Sequence, residues 1–314
     1  CRGGWVEVAL REVPRTGRHD RTTTWKGRER VRTLKVNGVR LKVDVMGEGN
    51  EPLFIGHHGA PGMSSHAEPK RAFGGLAGWF KVVTFDARGS GESDYVGPYT
   101  HEQWVADVDA IREAFGAEEF VMGGGSYGGF LSLEYALAHP SRVRALVLRD
   151  TAARDYGEQA KRNALARAKE FPWLTPELVE RALGGSFRDN DEFRELFGAI
   201  QPLYDVNYDP AKGAERLAGL KLNYLADNYA FTHNLPNYDV RARLHEIEVP
   251  VLITVGRHDW ITPVEASEEM HSLLPDSELV IFENSGHSPQ IEEHDAWFAR
   301  VVQFLRDRAL IEGS

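Results

Sequence analysis

Ser126, Asp259 and His287 each stand at or just past the end of a short apolar run. A serine hydroxyl is a poor nucleophile at neutral pH and needs an imidazole to take its proton. A carboxylate then fixes the imidazole tautomer and stabilises the cation that forms. The chain supplies the three in the order Ser, Asp, His, at separations of 133 and 28 residues. Ser126 lies in "VMGGGSYGGF" (121–130), where Gly124-x-Ser126-x-Gly128 has the form of a sharp strand-to-helix turn that exposes a nucleophile. The oxyanion of an acyl-transfer intermediate needs backbone N–H donors. Tyr127, next after the serine, supplies one. The upstream loop "HHGAPG" (57–62) supplies the other from Ala60, with Gly59 the less favoured donor.

The same glycines support a competing reading. Gly123-x-Gly125-x-x-Gly128 matches the turn that holds a dinucleotide pyrophosphate, and Asp150, 22 residues past Gly128, sits where a ribose-binding acid is expected. Locally the sequence does not reject it. The wider pattern does, because a dinucleotide turn belongs to the first strand–helix–strand unit and several elements precede this one. In an open parallel sheet the C-terminal strand ends line the site. Here they present His58-Gly59, Ser126, Asp259 and His287, which serve a nucleophile and have no use for a pyrophosphate. No cofactor and no metal are expected. Asp150 also ends a strand and is the alternative third member of the triad. His58 is assigned to hydrogen bonds within its own loop, and His258, beside Asp259, is assigned away from the site.

The elements that must position these residues are legible from periodicity. "RTLKVNGVRLKVDV" (32–45) is two alternating runs around Asn37-Gly38, a pair that tolerates the φ > 0 of a hairpin turn. "PLFIGHHG", "KVVTFDARG", "EFVMGGG" and "RALVLRD" read as strands buried on both faces. Between the second and third, "THEQWVADVDAIREAFG" (100–116) repeats apolar residues at helical spacing behind Thr100 as N-cap. The pattern lapses over about 152–240, where Pro172, Pro176, Pro202, Pro210 and Pro236 punctuate short helical pieces. It resumes at "VPVLITVGRHD" (249–259), "SELVIFEN" (277–284) and a last helix near 290–306. The expectation is an α/β fold with a mostly parallel eight-stranded sheet over 34–151 and 241–314. A helical cap over 152–240 is inserted into it, and a basic extension occupies 1–33.

Bulk properties narrow the partners. The net charge of −10 and pI of about 5.7 argue against nucleic acid, although residues 1–33 carry nine Lys/Arg against four Asp/Glu. No apolar run approaches the length of a membrane span. Cys1 is the sole cysteine, so no internal disulfide forms, and it is given no role. The expected setting is cytoplasmic, with a small-molecule or short-peptide substrate and no membrane partner. The oligomeric state is left open.

At the quoted residues the chain resembles the α/β-hydrolase superfamily, and more narrowly the proline iminopeptidases of peptidase family S33. The resemblance rests on "HHGAPG", "FDARGSGESD", "GGGSYGGFLSLEYALAHPSRVRALVL", "TVGRHD" and "SGHS" and spans about 50–306. It implies a serine hydrolase that releases an N-terminal residue, often proline, from a short peptide through an acyl-enzyme on Ser126. A carboxylic ester or lactone hydrolase, or a C–C bond hydrolase, remains the alternative. The family's loop reads H-G-G-P-G, so Ala60 replaces a glycine. Family members hold the substrate's free α-amino group with cap carboxylates. In "LADNYAFTHNLPNYD" (225–239) Asp227 is the nearest candidate for that role. Some members place an acid directly after the triad aspartate, where this chain has Trp260. Gly59, Trp260 and Asp227 are the expected substrate contacts.

Overall fold

The computed structural model describes residues 30–312; Cys1 and the first 29 residues of the basic stretch lie outside them. Eight strands form one sheet. They are β1 (Arg30–Val36), β2 (Val39–Met46), β3 (Leu53–His57), β4 (Lys81–Phe85), β5 (Phe120–Gly125), β6 (Val143–Arg149), β7 (Val251–Gly256) and β8 (Ser277–Phe282). Their spatial order is β1-β2-β4-β3-β5-β6-β7-β8. β1 and β2 pair antiparallel, as do β2 and β4, and every other pairing is parallel. The hairpin turns where Asn37 and Gly38 take φ of 45° and 80°, both in the left-handed region a type I′ turn requires. β1 begins at Arg30, so the last residues of the basic stretch are already strand.

The inner strands β3, β5 and β7 are buried at every residue, which is why they read as unbroken apolar runs. Alternate residues feed two layers. Ile55, Val83 and Met122 join one core with Trp104, Val108 and Ile111 of α2 (His101–Ala114) and Leu131 and Leu133 of α3 (Tyr127–Ala138). Phe54, Val82 and Val121 join the other with Phe73, which closes the short helix Ala67–Phe73, and with Trp297, Val301 and Phe304 of the C-terminal helix His294–Asp307. Thr100 caps α2 by accepting from the Gln103 amide at 3.2 Å.

Between β6 and β7 the chain folds into helices. They include Gly157–Ala166, Pro176–Leu183, Asn190–Ile200, Pro210–Gly219 and Tyr224–Tyr229. The prolines explain the fragmentation: Pro176 and Pro210 open helices, where a missing N–H costs nothing. The insertion has a small core of its own, with Ala160, Leu174, Val179, Ile200 and Leu203 packed around Trp260 of the sheet domain.

Candidate active site

β5, β6, β7 and β8 lie side by side, so Ser126, Asp150, Asp259 and His287 emerge from neighbouring strand ends. Ser126 has φ 52° and ψ −124°, a strained conformation for a residue with a Cβ. The turn is held by its backbone: the Ser126 amide donates to the Arg149 carbonyl at 2.9 Å, and Thr151 Oγ1 donates to the Ser126 carbonyl at 2.8 Å. Two glycines make room for it. A Cβ on Gly124 would overlap the Gly128 carbonyl, and one on Gly128 would overlap the His58 carbonyl. Gly128 lies inside a helix, where alanine ordinarily stabilises by about 1 kcal/mol. Here the obstacle is backbone and cannot swing aside. Gly128→Ala should therefore cost at least about 2 kcal/mol, read as a lowered urea midpoint. A raised midpoint would mean that the loop of His58 yields.

His287 Nδ1 lies 2.8 Å from Asp259 Oδ2. Asp259 also accepts from the amides of Ile261 and Thr262 at 2.9 and 3.1 Å and from Thr262 Oγ1 at 2.8 Å. A carboxylate so saturated with donors stays an acceptor, which puts the proton on His287 Nδ1 and leaves Nε2 with its lone pair. Burial pushes the imidazole toward neutrality, and the Asp259 carboxylate more than offsets this, so its pKa is raised. Among the described residues Ser126 Oγ has no hydrogen-bond partner. Contacts between nucleophile and base commonly close only when substrate is bound.

Asp150 is fully buried. Its Oδ1 accepts from the Gly256 amide at 3.0 Å and its Oδ2 from Arg149 Nη1 at 3.3 Å. It cannot reach a ribose, so the dinucleotide reading fails here. Asp150, Asp259 and His287 bring ligand atoms within 4.8 Å of one another. The Arg149 guanidinium on Asp150 opposes a second cation among them.

The loop before α1 (Ala67–Phe73) brings Gly59 against Ser126, 3.5 Å from its Cβ for a side chain built at 59, and leaves Ala60 half-exposed beside it. His58 holds this loop: its Nε2 accepts from the Ala87 amide at 3.0 Å, so its Nδ1–H donates to the Gly59 carbonyl at 3.0 Å. His258 is exposed. The Tyr127 amide opens a helix, where N–H groups lack partners within the helix. Its phenol is anchored at a distance, 2.7 Å from His101 Nε2 and 3.3 Å from the Ala230 carbonyl in the insertion.

Asp227, on the insertion helix Tyr224–Tyr229, is 4% exposed, and its carboxyl has no hydrogen-bond partner among the described residues. That helix docks on the loop of Ala60, where the Asn223 amide donates to the Gly62 carbonyl at 2.7 Å. The charge of Asp227 acts on the phenols of Tyr127 and Tyr204, and burial raises its own pKa well above the ordinary carboxyl range. Trp260 is placed differently from the expected substrate contact. It is 3% exposed inside the apolar cluster of the insertion, because its indole is the largest surface available to anchor those helices. Tyr204 stands where Trp260 was expected. Its ring packs edge-on against both Trp260 and His287, at 5.6 and 5.5 Å, and its carbonyl accepts from the His287 amide at 2.9 Å. Nothing in the sequence near Tyr204 signals this. Arg149 was also missed, though a charged residue directly after the apolar run Ala145–Leu148 is a usable signal.

The family model described as "alpha/beta hydrolase fold" matches residues 52–294. The chain is 32% identical to a proline iminopeptidase of Pestalotiopsis fici, over 88% of this chain and 99% of that protein. It is 30% identical to a 2-hydroxymuconate semialdehyde hydrolase of Pseudomonas putida, over 87% and 92% of the two. An esterase from Exiguobacterium antarcticum superposes with a TM-score of 0.68 at 20% identity, covering 86% of this chain and 97% of the esterase. No described helix is long and apolar enough to cross a membrane.

Proposed function

This chain belongs to the α/β-hydrolase family, and on that premise we propose that it is a serine hydrolase that cleaves an amide bond and releases an N-terminal residue. The observation that carries the reading is the Asp259–His287 pair at 2.8 Å beside a strained Ser126. Ser126 Oγ attacks the scissile carbonyl while His287 Nε2 takes its proton. The oxyanion is received by the amides of Tyr127 and Ala60. The carbon–nitrogen bond breaks as His287 returns the proton to the leaving amine. Water, activated by the same imidazole, then resolves the acyl-enzyme. Asp259 keeps the imidazole in one tautomer throughout.

Two features support an aminopeptidase. One is the similarity to a proline iminopeptidase. The other is Asp227, a buried carboxyl with no internal partner, on a helix docked at the loop of Ala60. An ammonium is the ligand that would offset its burial. L-Proline p-nitroanilide should therefore be cleaved far faster than its N-acetyl derivative. Asp227→Asn should reduce that preference by about 10- to 100-fold, the worth of a charge-assisted hydrogen bond, mainly through KM. Because its pKa is raised, Asp227 ionises late, and the preference for the free amine should grow as pH rises. Equal cleavage of free and blocked substrates would sink the aminopeptidase reading.

The aromatic ring of Tyr204 against His287 favours a second reading, a carboxylic ester or lactone hydrolase. There the protonated Asp227 would donate a hydrogen bond to a neutral substrate. Aryl esters in the same panel discriminate: a kcat/KM for p-nitrophenyl acetate above that for any aminoacyl anilide supports it. A C–C bond hydrolase would instead require turnover of a vinylogous diketone.

A further inference from the structure

Arg149 ends β6 with its side chain 4% exposed, among groups that the catalytic reading leaves unlinked. Nη1 donates to the carbonyl of His287 and to Asp150 Oδ2, each at 3.3 Å. Nη2 pairs with Glu68, in the first turn of α1. Burial raises the pKa of the Glu68 carboxyl, opposed by the Arg149 guanidinium and, more weakly, by the nearby Gly59 amide. The Arg149 carbonyl accepts from the Ser126 amide. The guanidinium fills the space a Cβ on Gly125 would need, directly before the nucleophile.

We propose that Arg149 is a positioning residue for the hydrolytic reaction: its guanidinium links the oxyanion loop, through Glu68 on the helix that follows it, to the histidine loop, and its carbonyl holds the nucleophile turn. The inference rests on the serine-hydrolase reading above. Each of those three segments is a loop beyond a strand end, and loops hold catalytic geometry less well than the strands that carry them. The three acceptors of the guanidinium, Glu68, Asp150 and the His287 carbonyl, need a planar fork. A lysine ammonium keeps the charge and loses the geometry. The charge also has a task of its own. Asp150 and Asp259 crowd the same imidazole, and Arg149 is the guanidinium in contact with Asp150 and with Glu68. Without it, burial would neutralise Glu68 and Asp150 and release the loops they hold.

The test uses Arg149→Lys, Arg149→Met and Glu68→Gln in the full chain, with Arg149→Ala for chemical rescue. Three quantities are read: the melting temperature, kcat and KM on p-nitrophenyl acetate and L-proline p-nitroanilide, and the rate at which a fluorophosphonate labels Ser126. Misplacing catalytic groups by about 1 Å costs about 100-fold. The expected result is a kcat and labelling rate lower by about that factor in both arginine variants, with KM within about threefold of wild type. Added guanidinium ion should restore part of the rate to an Arg149→Ala enzyme, whose cavity it fits. Glu68→Gln guards against a fold that fails without its buried cation. It removes only the tie to the oxyanion loop and should lower kcat about tenfold at an unchanged melting temperature. Labelled wild type with undiminished kcat in Arg149→Lys or Glu68→Gln overturns the inference and leaves the hydrolase reading standing. So does a loss carried by KM alone. Wild-type protein that does not label at Ser126 overturns the hydrolase reading and this inference with it.

Discussion

Ser126→Ala should melt within about 2 °C of the wild-type protein and lose roughly 10⁴- to 10⁶-fold in kcat on every substrate it turns over. The first half follows from what Ser126 Oγ does in the resting structure. It has no hydrogen-bond partner among the described residues, so its removal strands no buried group. The turn is held instead by the Ser126 amide on Arg149 and by Thr151 on the Ser126 carbonyl, and alanine keeps both. The second half follows from the chemistry. Without the hydroxyl no acyl-enzyme forms, and what remains is oxyanion binding and proximity, which give a small residue of catalysis. Pre-steady-state kinetics with p-nitrophenyl acetate check both steps, since wild type should show a burst of nitrophenol and the variant none. Rates undiminished in Ser126→Ala would end the proposed mechanism whatever the substrate.

Much of this arrangement is legible in the sequence because it is set by local rules. The hairpin is written in Asn37-Gly38, whose backbone only a few residue types tolerate. The inner strands are written in apolar runs bounded by glycine, and the site residues follow from where those runs stop. Pro176 and Pro210 mark helix starts as clearly as they mark breaks. What stays hidden is contact between segments distant in the chain. Tyr204 reaches His287 from the middle of the insertion, and no period or motif places it there. Trp260 reads as a pocket residue from its position after Asp259, yet packing claims its indole for the insertion's core. Glu68 looks like an ordinary helix-start acid until the fold lays Arg149 over it. Asp150 has the offset of a ribose-binding acid, and only in the fold do burial and the hydrogen bonds from Gly256 and Arg149 take it out of reach.

Two carboxyls lie close to His287, and the structure makes them unequal. Asp259→Asn should lower kcat by about 10⁴-fold, the effect of presenting an amide where the imidazole needs an acceptor. Asp150→Asn should lower it by less than about tenfold, since it strips no partner from His287. The difference comes from hydrogen bonds rather than distance, because both acids fall within the same 4.8 Å group. Asp259 receives four donors, among them His287 itself, and so is the acceptor that orients the imidazole. Asp150 is pushed up to about 7 by burial and by the like charge of Asp259, so it is partly protonated at neutral pH. Its role is therefore electrostatic. Its charge raises the pKa of His287, while the charge of Arg149 lowers it. The sign of the pH effect follows. His287 acts as a base only when neutral, so kcat/KM rises with pH through the imidazole pKa. Taking away the Asp150 charge lowers that pKa, and the acid limb of the profile should move to lower pH in Asp150→Asn. An Asp259→Asn enzyme that keeps more than about a tenth of its rate while Asp150→Asn is crippled would reverse the two roles. The double variant Ser126→Ala/Asp259→Asn should be no slower than Ser126→Ala alone, because an imidazole held in place has no work to do once the hydroxyl it serves is gone.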